Sequence, residues 1–411
     1  MNHMELKERG KMELEIPRFN KFEEYMYWAE TINNSGVPRQ SIDDSLLQVT
    51  THAIHYGFQS VELLSKVERE IMKLMVERNL VGYEWEKNNS VGLAVVAYEK
   101  NIRDLFKGSY PYERLRIIYS RYGLYDKAKC ICEQYLELKR HPLGYDEAKR
   151  SSFIDMIEKL SEKQTTRRDF SLLYKNLDEE TIVEEFCIEG KKMPLQKGKA
   201  FYQLNHSKTG TIEELIQDYV SKDGYKGLWT ENDYWWMIMS LLFWDVIFTP
   251  IPGMFVNNKN FPKQDMPLDF FDIDFYIRRH KEIKMYLSEM KKNNKSTRNK
   301  IERTIKKNYC KYFGMPCRSI EDWGKYPLND LLFVVKYLEP YQLAIIIERL
   351  ITYFNEYRKG LPDLFVVKDN IPCFIECKEK NEKIQLWQKS WHIYIQKKAN
   401  IPVKICRVES M

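Results

Sequence analysis

Between Gly360 and Val408 the sequence runs GLPDLFVVKDNIPCFIECKEKNEKIQLWQKSWHIYIQKKANIPVKICRV, and its pattern is strand, turn, strand, helix, strand. Leu364 to Val367 and Pro372 to Cys377 are short apolar or β-branched runs parted by the turn residues Lys368, Asp369 and Asn370, which predicts a hairpin. Ile384, Trp387, Trp391 and Ile395 then recur at helical spacing, and Asn400 with Pro402 closes that segment before a last strand, Val403 to Val408. One carboxylate, Asp363, stands before the first strand, and a Glu-x-Lys ends the second. Strand side chains alternate, so Glu376 and Lys378 share a face while Cys377 points into the opposite layer.

Two carboxylates and a lysine on one hairpin suit metal-dependent phosphodiester hydrolysis. Asp363 and Glu376 offer hard oxygens to Mg²⁺ or Mn²⁺, and an ammonium at Lys378 can orient water and offset phosphorane charge. Glu-x-Lys alone says nothing, because it also occurs at Glu5, Glu147, Glu282 and Glu289 on patterns that fit solvated helix faces. The weight lies in the combination of Pro362-Asp363, Glu-x-Lys inside an apolar strand, and the helix that follows with Gln388 and Trp391. An ordinary α/β hairpin with charges at its strand ends is the competing account.

The pattern GLPDL, IECK, Gln388 and Trp391 resembles the virus-type replication-repair nuclease (VRR-NUC) domain, a branch of the PD-(D/E)XK nuclease superfamily. Upstream, Gly227 to Asn232 (GLWTEN), Leu241 to Phe248 (LLFWDVIF), Pro252 to Val256 and Met266 to Asp269 resemble the signature segments of Fanconi-associated nucleases. The resemblance implies catalytic Glu231, Asp363, Glu376 and Lys378. It also implies one or two Mg²⁺ or Mn²⁺ ions held by Glu231, Asp363, Glu376 and the backbone carbonyl of Cys377. Gln388, placed about two turns into its helix, is expected to steady Lys378 or the phosphate. Thr230 is expected to cap the preceding helix with Asp233 three residues on, and the helix dipole alone would explain a carboxylate at Glu231. Asp245, nearly four turns further on, is expected to pair locally.

The rest of the chain bounds this expectation. With 65 basic against 59 acidic residues the net charge is only +6, so a nucleic-acid surface must be local. The densest positive stretch begins at Arg278, Arg279, His280 and Lys281 and continues through Lys306, Lys307 and Lys311. Arg278, Arg279, Lys306 and Lys307 are the candidate DNA contacts, and a solvated helix and linker is the plainer account. Lysines between Cys187 and Leu204, on an expected hairpin or extended strand, are a second place for phosphate contact or a protected edge. The eight cysteines lack zinc or disulfide spacing and fit reduced, packed thiols. The N-terminus has no apolar signal region and no run approaches a membrane span, which implies a soluble cytoplasmic protein, nucleoid-associated in a prokaryote.

The expected architecture is α/β but predominantly helical. Residues 1–19 form a tail and 20–108 a helical domain, for which packing and DNA contact are both open. Residues 109–210 form a tetratricopeptide-like scaffold with a connecting hairpin, and 211–411 a VRR-NUC nuclease domain with a small mixed sheet. The helical scaffold either holds a partner or merely supports the rest. Three functions remain open from the sequence: a 5′-flap endonuclease and 5′–3′ exonuclease acting on flapped, branched or crosslinked DNA in interstrand crosslink repair, a Holliday-junction resolvase, and a non-catalytic DNA-binding scaffold.

Overall fold

The computed structural model describes residues 61–410 apart from 105, 107, 139–146, 164–182, 197–198, 204–208, 252–253 and 255–264. The amphipathic pattern expected around Phe22, Tyr25, Met26 and Ala29, and the helix start at Ser41, lie outside the described residues. Five helices come first: α1 (Val61–Lys87), α2 (Val91–Arg103), α3 (Tyr110–Arg121), α4 (Tyr125–Glu137) and α5 (Glu147–Ser161). The turn between α3 and α4 is made at Gly123, whose φ of +71° an L side chain rarely adopts. Tyr119, Leu124, Ala128 and Cys132 are buried where the two helices meet.

Strand β1 (Glu184–Gly190) is followed by a small antiparallel sheet of β2 (Lys192–Gln196), β3 (Lys199–Gln203) and β4 (Thr209–Gly210). Helix α6 (Ile212–Lys222) starts on a capping box in which Thr211 and Glu214 satisfy each other's backbone N–H groups. Next come β5 (Lys226–Trp229), α7 (Asn232–Ile247), α8 (Ile273–Met290), α9 (Lys295–Tyr312), α10 (Leu328–Tyr337), α11 (Pro340–Thr352) and the short α12 (Phe354–Tyr357). The chain closes with β6 (Leu364–Lys368), β7 (Ile371–Glu379), α13 (Leu386–Tyr394), a π-helical turn (Ile395–Ala399) and β8 (Val403–Ser410). Among the described residues no helix is long and apolar enough to cross a membrane.

The principal sheet has the order β1-β8-β7-β6-β5, with β1 and β7 parallel to β8 and the other pairs antiparallel. It is larger than the sheet expected from Leu364 to Val408, because two strands arrive from outside that stretch. The β6–β7 hairpin turns on Asp369 and Asn370, both at positive φ (53° and 64°), the geometry that a two-residue connection between twisted strands demands.

Alternation along the strands divides two cores. Leu364, Val366, Ile375 and Cys377 pack against Leu215, Ile216 and Val220 of α6. Phe365, Val367 and Phe374 join the larger helical core around α7, which is buried along nearly its whole length. At roughly 2 kcal/mol per fully buried aliphatic side chain, these faces outweigh the ~1 kcal/mol of a helix cap and set where α6 and α7 lie.

The backbone leading into β6 is pinned from several sides. Trp236 Nε1 donates to Arg358 O (2.9 Å), Trp391 Nε1 donates to Tyr357 O (3.0 Å), and Leu361 N–H donates to Asn232 Oδ1 (3.1 Å). Gly360 sits at φ +97°, and a Cβ there would lie 2.8 Å from both Trp387 C and Trp387 O. Only glycine lets α13 approach so closely. Gly360→Ala is expected to cost at least about 2 kcal/mol of stability from strain and overpacking together, measured by urea denaturation.

Candidate active site

In the β6–β7 register Leu364 faces Ile375, so the next step places Asp363 across from Glu376. On the other side Trp229 faces Leu364, and the following N–H, that of Thr230, donates to Asp363 O at 2.8 Å. Three strands thus align Thr230, Asp363 and Glu376 in one row. Asp363 Oδ2 accepts from Cys377 N–H at 2.7 Å, while the Cys377 thiol is buried on the α6 side.

Glu376 has no solvent exposure. Its Oε1 accepts from Gln388 Nε2 (2.5 Å) and pairs with Lys378 Nζ (3.0 Å), and its Oε2 lies 3.1 Å from His392 Nε2. Lys378, itself buried, also reaches Glu382 Oε1 at 2.9 Å. Burial works against the Lys378 ammonium, but Glu376 and Glu382 outweigh it and hold the group charged above its ordinary range. It is therefore a fixed positive charge near neutral pH and not a base. Burial, followed by the charge of Glu376, pushes the Asp363 carboxyl well above the usual carboxylate range, against the lowering effect of the Cys377 N–H. A buried carboxyl raised in this way, across from a second buried carboxylate, is under-compensated, and a hard divalent cation fits the pair.

Glu231 stands one residue beyond the row. It is the N-cap of α7, and its Oε2 lies 3.9 Å from Lys325 Nζ, which also holds Asp233 at 2.5 Å and sits 4.8 Å over the Trp229 ring. The helix starts at Asn232, so Thr230 is not its cap as the sequence suggests. Thr230 is spent on the strand row, and Asp233 takes Lys325 and the Tyr326 hydroxyl (2.7 Å). Asp245 accepts at 3.5 Å from the hydroxyl of Tyr312 on α9, so its partner lies on another helix and not nearby in sequence as expected. Among the described residues no three or more His, Cys, Asp or Glu side chains converge as a ready metal cage. Asp363 and Glu376 are brought together, while Glu231, one residue past Thr230, has its carboxylate toward Lys325.

Gln388 is nearer the start of its helix than expected. It occupies the third position of α13, where its Oε1 takes the N–H of Gln385 in a capping box and its Nε2 is left for Glu376. It therefore steadies the carboxylate and not Lys378. His392 escaped notice in the sequence. The signal was its place four residues after Gln388, which puts both on one helical face.

The basic stretch divides in two. Arg278 and Arg279 do not form a surface cluster: both pair with the buried Asp269 Oδ2, at 3.0 and 2.9 Å, and Arg279 is 1% exposed over the Phe275 ring. Arg279 acts as a core ion, because Asp269 needs compensation once buried, while Arg278 reaches the same carboxylate from a half-buried position. Lys306 and Lys307 are exposed on α9, Lys306 within 3.8 Å of Glu302. A hollow on that helix is lined by Ser296, Asn299, Lys300, Arg303, Thr304 and Lys307.

Among known families, the VRR-NUC domain model matches residues 281–410, the stretch that holds Asp363, Glu376 and Lys378. A Fanconi-associated nuclease 1 homolog of Arabidopsis thaliana is 26% identical over 236 residues, 55% of this chain and 25% of that protein. One of Schizosaccharomyces pombe is 28% identical over 200 residues, 48% of this chain and 27% of that protein. The chain thus matches about a quarter of the length of these curated relatives. A crystal structure of paFAN1 bound to DNA with a 2-nucleotide 5′ flap and a gap is 18% identical, with a TM-score of 0.47, over 89% of this chain and 61% of that one.

The two halves of the basic stretch should separate in a stability measurement. Arg279→Met is expected to cost about 3 kcal/mol by breaking a buried pair, and Lys306→Ala with Lys307→Ala to stay within about 0.5 kcal/mol, both by urea denaturation.

Proposed function

We propose that this chain, which matches the VRR-NUC domain over residues 281–410 and is similar to Fanconi-associated nuclease 1 homologs, is a divalent-metal-dependent DNA phosphodiesterase. Its substrates are flapped, branched or crosslinked DNA, cut as a 5′-flap endonuclease and 5′–3′ exonuclease in repair such as that of interstrand crosslinks. The observation that carries this is the placement of Asp363 opposite Glu376, with Lys378 on the same strand face.

Asp363 and Glu376 would hold Mg²⁺ or Mn²⁺, with Glu231 and the Cys377 carbonyl as further ligands. Such a cation would supply Lewis-acid polarisation of the scissile phosphate. Lys378 contributes a buried, permanent positive charge to the phosphorane, and its ties to Glu376 and Glu382 keep it aimed without cost at the moment of reaction. Gln388 fixes Glu376 from α13. No side chain needs to form a covalent bond to the substrate.

The DNA path runs over α9. Lys300, Arg303 and Lys307 line the hollow on this helix and Lys306 is exposed beside them, which supplies cations for phosphate contact on a regular element. Helices α3 to α5 serve as a tetratricopeptide-like scaffold, preceded by the helical domain of α1 and α2.

Incubation of the full chain with labelled 5′-flap, Holliday-junction and single-stranded DNA and Mg²⁺ or Mn²⁺ tests the assignment. Preferred cleavage near the flap base is expected, and no cleavage of any substrate with either cation overturns it. Asp363→Ala and Glu376→Gln should abolish cleavage with DNA affinity retained, while Lys378→Ala should lower turnover by about two to three orders of magnitude with little effect on binding. Neutralising Lys300, Arg303, Lys306 and Lys307 together should weaken binding to all DNA structures alike. The slope of log affinity against log salt should shrink by about one unit for each phosphate that the altered helix no longer neutralises, with turnover at saturating DNA preserved.

A further inference from the structure

His392 has no part in the chemistry above, yet it is 1% exposed and faces a carboxylate that is wholly buried. Its Nε2 stands 3.1 Å from Glu376 Oε2, while Gln388 and Lys378 are placed on Oε1. An ionised carboxylate can only accept, so the imidazole presents its Nε2–H there. Gln388 and His392, four residues apart on α13, therefore grip the two oxygens of Glu376 separately.

The helix that carries them is itself immobilised. The Arg349 guanidinium donates to Ser390 O (2.9 Å) and Ser390 Oγ (2.5 Å), between the two gripping residues. It also lies 4.3 to 4.6 Å from the Tyr394, Trp391 and Tyr357 ring centroids. With only Oε1 held, the carboxylate plane could still turn about its last torsion, which is broad and roughly two-fold. A donor on Oε2 removes that freedom and fixes the carboxylate plane.

We propose that His392 is a positioning residue, which fixes the carboxylate plane of Glu376 and so sets how tightly the site takes a divalent cation. This rests on the metal-dependent nuclease assignment above. Donors that orient a ligating carboxylate change metal affinity by about 10- to 100-fold when removed. A histidine that merely filled the core would change stability and leave the affinity of folded variants alone.

The test is calorimetric titration of Mn²⁺ into the DNA-free full chain, comparing the unaltered protein with His392→Met, His392→Gln and Asp363→Ala, each checked for a cooperative melt. His392→Met, similar in bulk without a donor, is expected to bind about 10- to 100-fold more weakly. His392→Gln, whose amide restores an N–H toward Oε2, should recover most of that affinity. A folded His392→Met protein with unaltered affinity overturns the proposal, and so does failure of His392→Gln to bind better than His392→Met. Asp363→Ala separates the two levels of inference. If it too binds as the unaltered chain does, the metal centre itself is wrong; if it alone fails to bind, only the role of His392 falls. Should His392→Met not fold, ¹⁵N NMR of the unaltered protein decides. The His392 ring resonances are expected to move with Mg²⁺ saturation, and their indifference to Mg²⁺ overturns the proposal.

Discussion

A carboxylate with no solvent exposure, Glu376, is costly to bury, since an unpaired buried charge is penalised by several kcal/mol. The surrounding architecture answers that cost. Lys378, two residues on, shares its face because strands alternate, and α13 adds the Gln388 amide and the His392 imidazole. For α13 to come so near, Gly360 must be bare, Arg349 must lock Ser390, and the segment from Tyr357 to Leu361 must be held by Trp236, Trp391 and Asn232. Asp363 then inherits its place from the same segment, so one compensation problem organises both carboxylates.

The hairpin and the helix after it were legible because each is specified locally. Asp369 and Asn370 tolerate positive φ, Phe365 and Phe374 alternate with Leu364 and Ile375, and Trp391 and Ile395 repeat at helical spacing. Strands β1 and β5 were not. The first reads EEFCIEG and the second KGLW, one rich in charge and the other only four residues long, and both become strands because distant partners supply their hydrogen bonds. The same limit hid the fates of Arg278 and Arg279. Their sequence neighbours are basic, but the residue that decides their burial, Asp269, approaches through the fold. His392 was missed because its partner, Glu376, lies on another element.

A second buried charge system joins the front helices to the rest. Arg78 of α1 clasps Asp274 of α8 through two bonds of 2.8 and 2.7 Å and reaches Asp104, just past α2, at 2.5 Å. Lys100 of α2 pairs with Asp272 at 2.8 Å. Burial alone would raise the Asp274 carboxyl, but Arg78 and Lys100 outweigh it and hold it well below the usual carboxylate range. Such a network adds little net stability compared with apolar packing, yet any slip between α1 and α8 would leave a charge unpaired inside the protein. It fixes the orientation of α1 and α2 on α8 more than it strengthens the contact.

The pairing of β1 with β8 carries a consequence for how the molecule is made. Glu184 lies beside Lys404 and Gly190 beside Ser410, so the first strand of the sheet waits some two hundred residues for its neighbour. β7 likewise lacks one flank until β8 arrives. Parallel pairing across so long a separation is slow, because the loop must close before any contact rewards it. On a ribosome, residues 184 to 379 emerge with Glu376 at an unfinished sheet edge. A chain interrupted anywhere before residue 403 lacks the strand that completes the sheet around the two carboxylates. The pair Asp363 and Glu376 therefore sits in a sheet that is complete only once the last strand of the chain has joined it.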